Sequence, residues 1–163
     1  MTNAGRINIH GTGFLLGSSG VLIRGPSGAG KSLLALELLQ RAARAGEAAF
    51  LVADDRVDLT IVDGGIVMHA PANIAGLVEL RGRGIVARPS VDKAPLRLVV
   101  DLVDEFRRMV EEDELSTDLL GMTVPRCPVP RRGLIDAPHQ LLLVDEALAQ
   151  VASTARPAKQ KFT

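Results

Sequence analysis

The sequence predicts an α/β fold with a mixed sheet, arranged around a phosphate-binding loop. Three observations carry this expectation. The apolar run Gly20 to Arg24 leads into a glycine-rich segment and then into a Leu- and Ala-rich, helix-forming stretch. A second apolar run, Glu47 to Ala53, ends in two aspartates and completes the strand–helix–strand pattern of a βαβ unit. Beyond it, Arg56 to Val62 alternates polar and apolar residues up to the turn residues Asp63, Gly64 and Gly65. That is a hairpin with one wet face, which argues against a purely parallel sheet.

Each element follows from its own pattern. Gly20 to Arg24 reads as a buried parallel strand. Ser32 to Ala45 reads as a helix with Leu34, Leu38 and Ala42 on one face and a Glu37–Arg41 pair on the other. Gly46 ends it. Glu47 to Ala53 is the second strand; Arg56 to Val62 and Ile66 to His69 are the hairpin. Leu96 to Leu102 is a further strand, and Val103 to Glu114 reads as a short, highly charged helix. Asp136 caps a final helix running to about Ala152, with Pro138 in its first turn. Segments rich in Pro and Gly, Arg83 to Pro95 and Val124 to Gly133, are too short to part domains, so residues 1–163 read as a single domain.

Composition narrows the function. The chain is 47% hydrophobic and 23% charged, the profile of a soluble globular protein. With no Trp and no Tyr, the core must be built from Leu, Val, Ile and Ala, and aromatic platforms for stacking bases are lacking. Formal net charge is zero, so no basic field gathers nucleic acid. No apolar run approaches a membrane span, and Met1 to Asn8 lacks the apolar stretch of a signal peptide. The single cysteine, Cys127, cannot form an internal disulfide, which fits a reducing, cytoplasmic setting. It reads as a small apolar filler.

The chemistry centres on Gly25, Pro26, Ser27, Gly28, Ala29, Gly30, Lys31 and Ser32, a full match to G-x-x-x-x-G-K-[ST]. The glycines let backbone N–H groups curl toward phosphate oxygens, and the helix N-terminus adds partial positive charge. Lys31 reaches the β- and γ-phosphates, and the Ser32 hydroxyl ligates Mg²⁺. ATP and Mg²⁺ are therefore the expected cofactors. Asp54 and Asp55 close the second strand, where ligands collect in an α/β sheet. An acid there holds Mg²⁺ or takes a proton from an attacking hydroxyl, and two adjacent acids allow both.

Two further signals are weaker. In Val78 to Val86, Glu79 and Arg81 fall on one face of an extended segment, placing a carboxylate and a guanidinium for metal ligation and phosphate contact. An ordinary surface ion pair has the same spacing. His10 is a lone histidine that needs a neighbour to tune it.

Taken together, these blocks resemble the catalytic C-terminal domain of bacterial HPr kinase/phosphorylase. The likeness rests on His10 and Gly11, the Gly20–Ser32 block, Ala35 to Leu38, Leu51 to Val57, Val78 to Val86, and Leu120 to Pro130, in that order. It covers about residues 8 to 152. The resemblance implies a phosphoenolpyruvate-carboxykinase-like, P-loop kinase core. It implies a serine kinase acting on the phosphocarrier HPr, able also to run phosphorolysis, and assembled as a hexamer. By position, it makes Lys31 a phosphate-holding residue, and Ser32, Asp54 and Glu79 metal-side residues. It makes Asp55 the general base, His10 an active-site residue and Arg81 a phosphate contact. Arg108 falls roughly where the family has a later catalytic arginine, and Pro130 to Gly133 in the loop linked to dephosphorylation. The chain departs from the family at Leu33, where Glu is usual, and in the extra residues of Arg41 to Glu47. Its late loop lacks the usual glycine–arginine pair. The family's N-terminal domain is not represented, as in truncated alphaproteobacterial forms. Two other classes stay open: an ATP-dependent small-molecule kinase and a non-catalytic nucleotide sensor.

Overall fold

The structure, a computed structural model, describes residues 5–72 and 74–155. In chain order these form β1 (Ile7–His10), β2 (Thr12–Leu16), β3 (Ser19–Arg24), α1 (Lys31–Arg44), β4 (Ala49–Ala53), β5 (Arg56–Val62) and β6 (Gly65–His69). There follow β7 (Leu77–Leu80), β8 (Gly84–Ala87), β9 (Lys93–Val103), β10 (Ser116–Leu119), β11 (Met122–Pro130) and α2 (Ala137–Ala155).

β9 organises the sheet, and its sequence shows how. Its first half alternates, with Ala94, Leu96 and Leu98 buried and Lys93, Pro95 and Arg97 exposed. That half meets β6 antiparallel. Its second half, Leu98 to Val100, is buried on both faces and lies between β3 and β11, parallel to each. This is the pattern expected where helices and strands cover both sides. The strand order is β1-β5-β6-β9-β3-β2-β4, with β11 on β9 and β10 on β11. β7 and β8 form a separate hairpin.

The mixed α/β sheet is as expected, with one refinement. β2 lies antiparallel between β3 and β4, so the β3–α1–β4 crossover skips a strand. Two cores result. Phe14, Val21, Ile23, Leu34, Leu38, Leu98 and Val129 pack under the helices. On the opposite face Leu22, Leu59, Met68, Leu96, Val99 and Val124 are enclosed by the β5–β6 hairpin and β10. Leu34, Leu38 and Ala42 of α1 are buried as the periodicity requires. Asp136 caps α2 through the His139 N–H at 3.0 Å, and the helix runs beyond Ala152.

Four local expectations are corrected. Val103 to Glu114 is not a helix: irregular chain leads to one 3-10 turn at Glu112–Leu115. Its apolar residues do not enter the core: Phe106, Met109 and Val110 stay exposed, and Arg107 is held by Glu105 and Glu114. Val124 to Pro130 is strand, not punctuation. β11 lies along the border of the sheet beside β9, where proline's missing N–H is tolerated. Glu37 does not pair with Arg41; it pairs with Arg132, while Arg41 bonds Asp145 at 2.5 Å. Tertiary partners outbid the local i,i+4 pair, which is worth only a few tenths of a kcal/mol, ~0.2–0.5. Arg81 does not continue an extended face with Glu79 but sits in the turn between β7 and β8. No described helix is long and apolar enough to cross a membrane.

Candidate functional site

The loop Gly25–Ser32 joins β3 to α1, as its motif requires. Gly30 caps α1 with φ +97°, a conformation L side chains rarely adopt. The buried Lys31 Nζ donates to the Gly25 carbonyl at 2.7 Å and the Pro26 carbonyl at 3.1 Å, so the loop folds around its own lysine. Burial lowers the Lys31 pKa, and the nearby charges of Asp55 and Asp54 only partly offset this. A phosphate in the loop would restore the balance.

The two aspartates are divided by a tight turn. Asp55 has φ +69°, and the Arg56 N–H donates back to the Asp54 carbonyl at 2.8 Å. This three-residue turn sends the neighbouring carboxylates in different directions. Asp54 turns inward: its Oδ1 accepts from Ser32 Oγ at 2.7 Å and from Thr12 Oγ1 at 2.8 Å, and its Oδ2 from the Glu79 N–H at 3.2 Å. Asp55 turns outward, with its side chain 72% exposed and its Oδ1 2.8 Å from His10 Nε2. A non-glycine residue in the left-handed region at such a place is strain of the kind found at functional sites.

Gly11 brings the histidine in. It lies between β1 and β2, its N–H donates to the Asp55 carbonyl at 3.0 Å, and a Cβ there would sit 2.7 Å from the Ile23 carbonyl oxygen. Only glycine lets the chain pass so close to β3. The same bend delivers His10 to Asp55 and Thr12 to Asp54. His10, Lys31, Ser32, Asp54 and Asp55, drawn from well-separated parts of the sequence, thus meet at the carboxyl ends of β3 and β4.

The other expected residues lie differently. Glu79 approaches Asp54 through its backbone N–H, and its carboxylate has no hydrogen-bond partner among the described residues. Arg81 is exposed in its turn and makes no hydrogen bond to the cluster. Arg108 lines a separate cavity of about 250 Å³, with Phe106, Arg126, Pro130 and His139. Sequence reasoning missed Thr12, a fully buried hydroxyl, and singled out the Pro130 to Gly133 loop without its Arg132, whose side chain lies over Gly30. Thr12 was readable only as the residue after His10 and Gly11; Arg132 was readable only as part of the Pro130 to Gly133 loop.

The donors suit Mg²⁺. Among the described residues no three His, Cys, Asp or Glu side chains gather as a metal cage. Mg²⁺ does not need one, since it is held by one or two carboxylates plus phosphates and waters. Ser32 Oγ against Asp54 Oδ1 is an all-oxygen pair of that kind.

Residues 2–153 match the family model described as the HPr Serine kinase C-terminal domain. The HPr kinase/phosphorylase of Streptococcus thermophilus is 38% identical over 140 residues, covering 78% of this chain and 43% of that protein. That of Clostridium tetani is 33% identical over 135 residues, covering 76% of this chain and 42% of that protein. The chain therefore spans less than half the length of these curated relatives. The solved structure of the Hpr(Ser) kinase/phosphatase from Coxiella burnetii superposes with TM-score 0.70 at 24% identity, over 91% of this chain and 95% of that one. That likeness bears on the fold, and the chain belongs to the HPr serine kinase C-terminal domain family.

Proposed function

We propose that this chain is an ATP- and Mg²⁺-dependent serine kinase acting on an HPr-type phosphocarrier. The observation that carries the reading is the division of the aspartate pair beside the phosphate loop. One carboxylate is tied to the loop serine; the other is exposed, beside an imidazole. The relatives' names supply the substrate class.

The chain's residues then act as follows. The loop N–H groups and Lys31 hold the phosphates. Ser32 and Asp54 would hold Mg²⁺, which would supply charge neutralisation on the phosphates. The acceptor serine hydroxyl docks at Asp55, which takes its proton as the serine oxygen bonds to the γ-phosphorus. The bond from that phosphorus to the β,γ-bridging oxygen breaks, and ADP departs. His10 orients the Asp55 carboxylate. In phosphorolysis, inorganic phosphate attacks the phosphoserine, Asp55 returns the proton, and pyrophosphate leaves.

The test is transfer of label from γ-labelled ATP with Mg²⁺ to a purified phosphocarrier. Label is expected on a carrier serine, and none with Lys31→Ala. Asp55→Asn should cut transfer by at least about 100-fold, the scale of losing a general base, while ATP binding persists. Equal loss of binding and transfer in Asp55→Asn would refute its role. Intact ATP binding with no label would point to a different acceptor or to a sensing protein.

A further inference from the structure

We propose that Arg132 is a phosphate-contacting residue of the nucleotide site, and that Glu37 competes with the nucleotide for it. This rests on reading Gly25–Ser32 as a nucleotide site.

The Arg132 side chain crosses the rim of the phosphate loop. A Cβ placed on Gly30 would come 3.8 Å from its Cδ and 3.9 Å from its Nε. Its Nη2 donates to Glu37 Oε1, on the next turns of α1. Its Nε is buried and has no acceptor. The guanidinium is therefore half satisfied: Nη2 is held by a carboxylate, while Nε, beside Gly30, has no acceptor. Phosphate oxygens are the natural partner for a planar, multi-donor cation.

The backbone beneath this side chain is fixed. Arg131 Nη1 donates to the Arg132 carbonyl at 3.1 Å, and Arg131 Nε to Asp104 Oδ1 at 2.6 Å. Gln140 Nε2 holds the Pro130 carbonyl at 2.9 Å. Only the Arg132 side chain is left to choose between partners. In this structure Glu37 holds it on α1. A nucleotide brings several negative charges to Gly30, and the guanidinium transfers to them. Glu37 thus acts as a stand-in anion, and it weakens nucleotide binding by offering Arg132 an alternative.

Competition predicts opposite signs for the two partners, which a structural ion pair does not. Calorimetric titration with Mg²⁺-ATP should show Arg132→Ala weakened about tenfold, the worth of one charge-assisted contact. Glu37→Gln should bind about threefold tighter. The double variant should match Arg132→Ala alone, and Arg132→Lys, which keeps charge but loses the fork, should fall between. Glu37 is on the partly exposed side of α1, so Gln leaves the core intact; thermal melts of each variant report folding separately. Weaker binding in both single variants, or wild-type binding in Arg132→Ala, overturns the competition. Wild-type protein without Lys31-dependent ATP binding overturns the nucleotide reading and this inference with it.

Discussion

Replacing Asp54 separates its structural role from its proposed ligand role. Asp54→Ala removes the acceptor for Thr12 and Ser32 and leaves both hydroxyls without a partner. Thr12 is 0% exposed, so its hydroxyl has no water to turn to. An orphaned buried donor costs about 1–3 kcal/mol. Ser32 is half-buried and can rotate to solvent, and the Glu79 bond is long, so these add little. A loss of roughly 2–3 kcal/mol corresponds to a fall in Tm of about 5–10 °C for a domain of this size. Asp54→Asn keeps an oxygen acceptor and should lose less than half of that. The two substitutions should converge when ligand is added. Saturating Mg²⁺-ATP should stabilise the wild type by about 2.7 kcal/mol at 100-fold excess over Kd, and the magnesium-dependent part of that gain should vanish in both variants. Differential scanning fluorimetry with ATP, with and without Mg²⁺, reads both effects. If Asp54→Ala melts with the wild type, the buried Thr12 bond contributes nothing. If Asp54→Asn keeps the full magnesium-dependent gain, Asp54 is not at the metal.

Two further perturbations test the framework. Asp101 sits between Arg24, at 2.8 Å, and Arg126, at 2.5 Å. Burial raises its pKa, but the two guanidinium partners more than reverse this and hold it below the usual carboxylate range. Its contribution is present above the unfolded value of about 3.9 and is lost as pH falls through the depressed folded value. Asp101→Asn should therefore lower stability at neutral pH and flatten the acid limb of a urea-melt pH series; an unchanged acid limb would count against the cluster. A Cβ at Gly20 would lie 2.1 Å from the Pro95 carbonyl oxygen and 2.9 Å from Met68 Cε, at the register shift between β3 and β9. Gly20→Ala should cost ~3 kcal/mol or more, the upper end for overpacking, and equilibrium unfolding at wild-type stability would show that the two strands separate freely.

The parts of the fold visible in the sequence were those whose signals are local. The phosphate loop, the apolar stripe of α1, the β5–β6 turn and the Asp136 cap each depend on a few adjacent residues. Asp63 and Gly64 take φ +50° and +76°, which turn residues accept at little cost. What escaped depends on partners distant in the chain. β11 carries Pro125, Pro128 and Pro130 and reads as a breaker until β10 pairs with its first half and β9 with its second. Val103 to Glu114 has helix-forming residues, but its apolar side chains stay out of the core, Phe106 meeting His139 edge-on instead. Glu37 has a good local partner in Arg41 and a better one far away in Arg132. Cys127, read as a filler, behaves as one: burial pushes its thiol up to about 12, and its Sγ lies 3.5 Å from the Leu143 carbonyl.

The candidate site shows the same division at finer grain. The motif located the loop, and strand polarity located the aspartates, yet neither says that the two carboxylates point in different directions. That difference comes from a single backbone angle. With Asp55 in an extended conformation, its side chain and that of Asp54 would simply alternate across β4. The left-handed turn at Asp55, stitched by Arg56 N–H to the Asp54 carbonyl and by Gly11 N–H to the Asp55 carbonyl, breaks that alternation. One carboxylate is turned under the loop serine and the other out to solvent beside His10. The arrangement of the two carboxylates is thus held by backbone hydrogen bonds from β1–β2 and β5, elements with no motif of their own. Substitution at Gly11 should accordingly disturb His10, Asp54 and Asp55 together, although it touches none of their side chains.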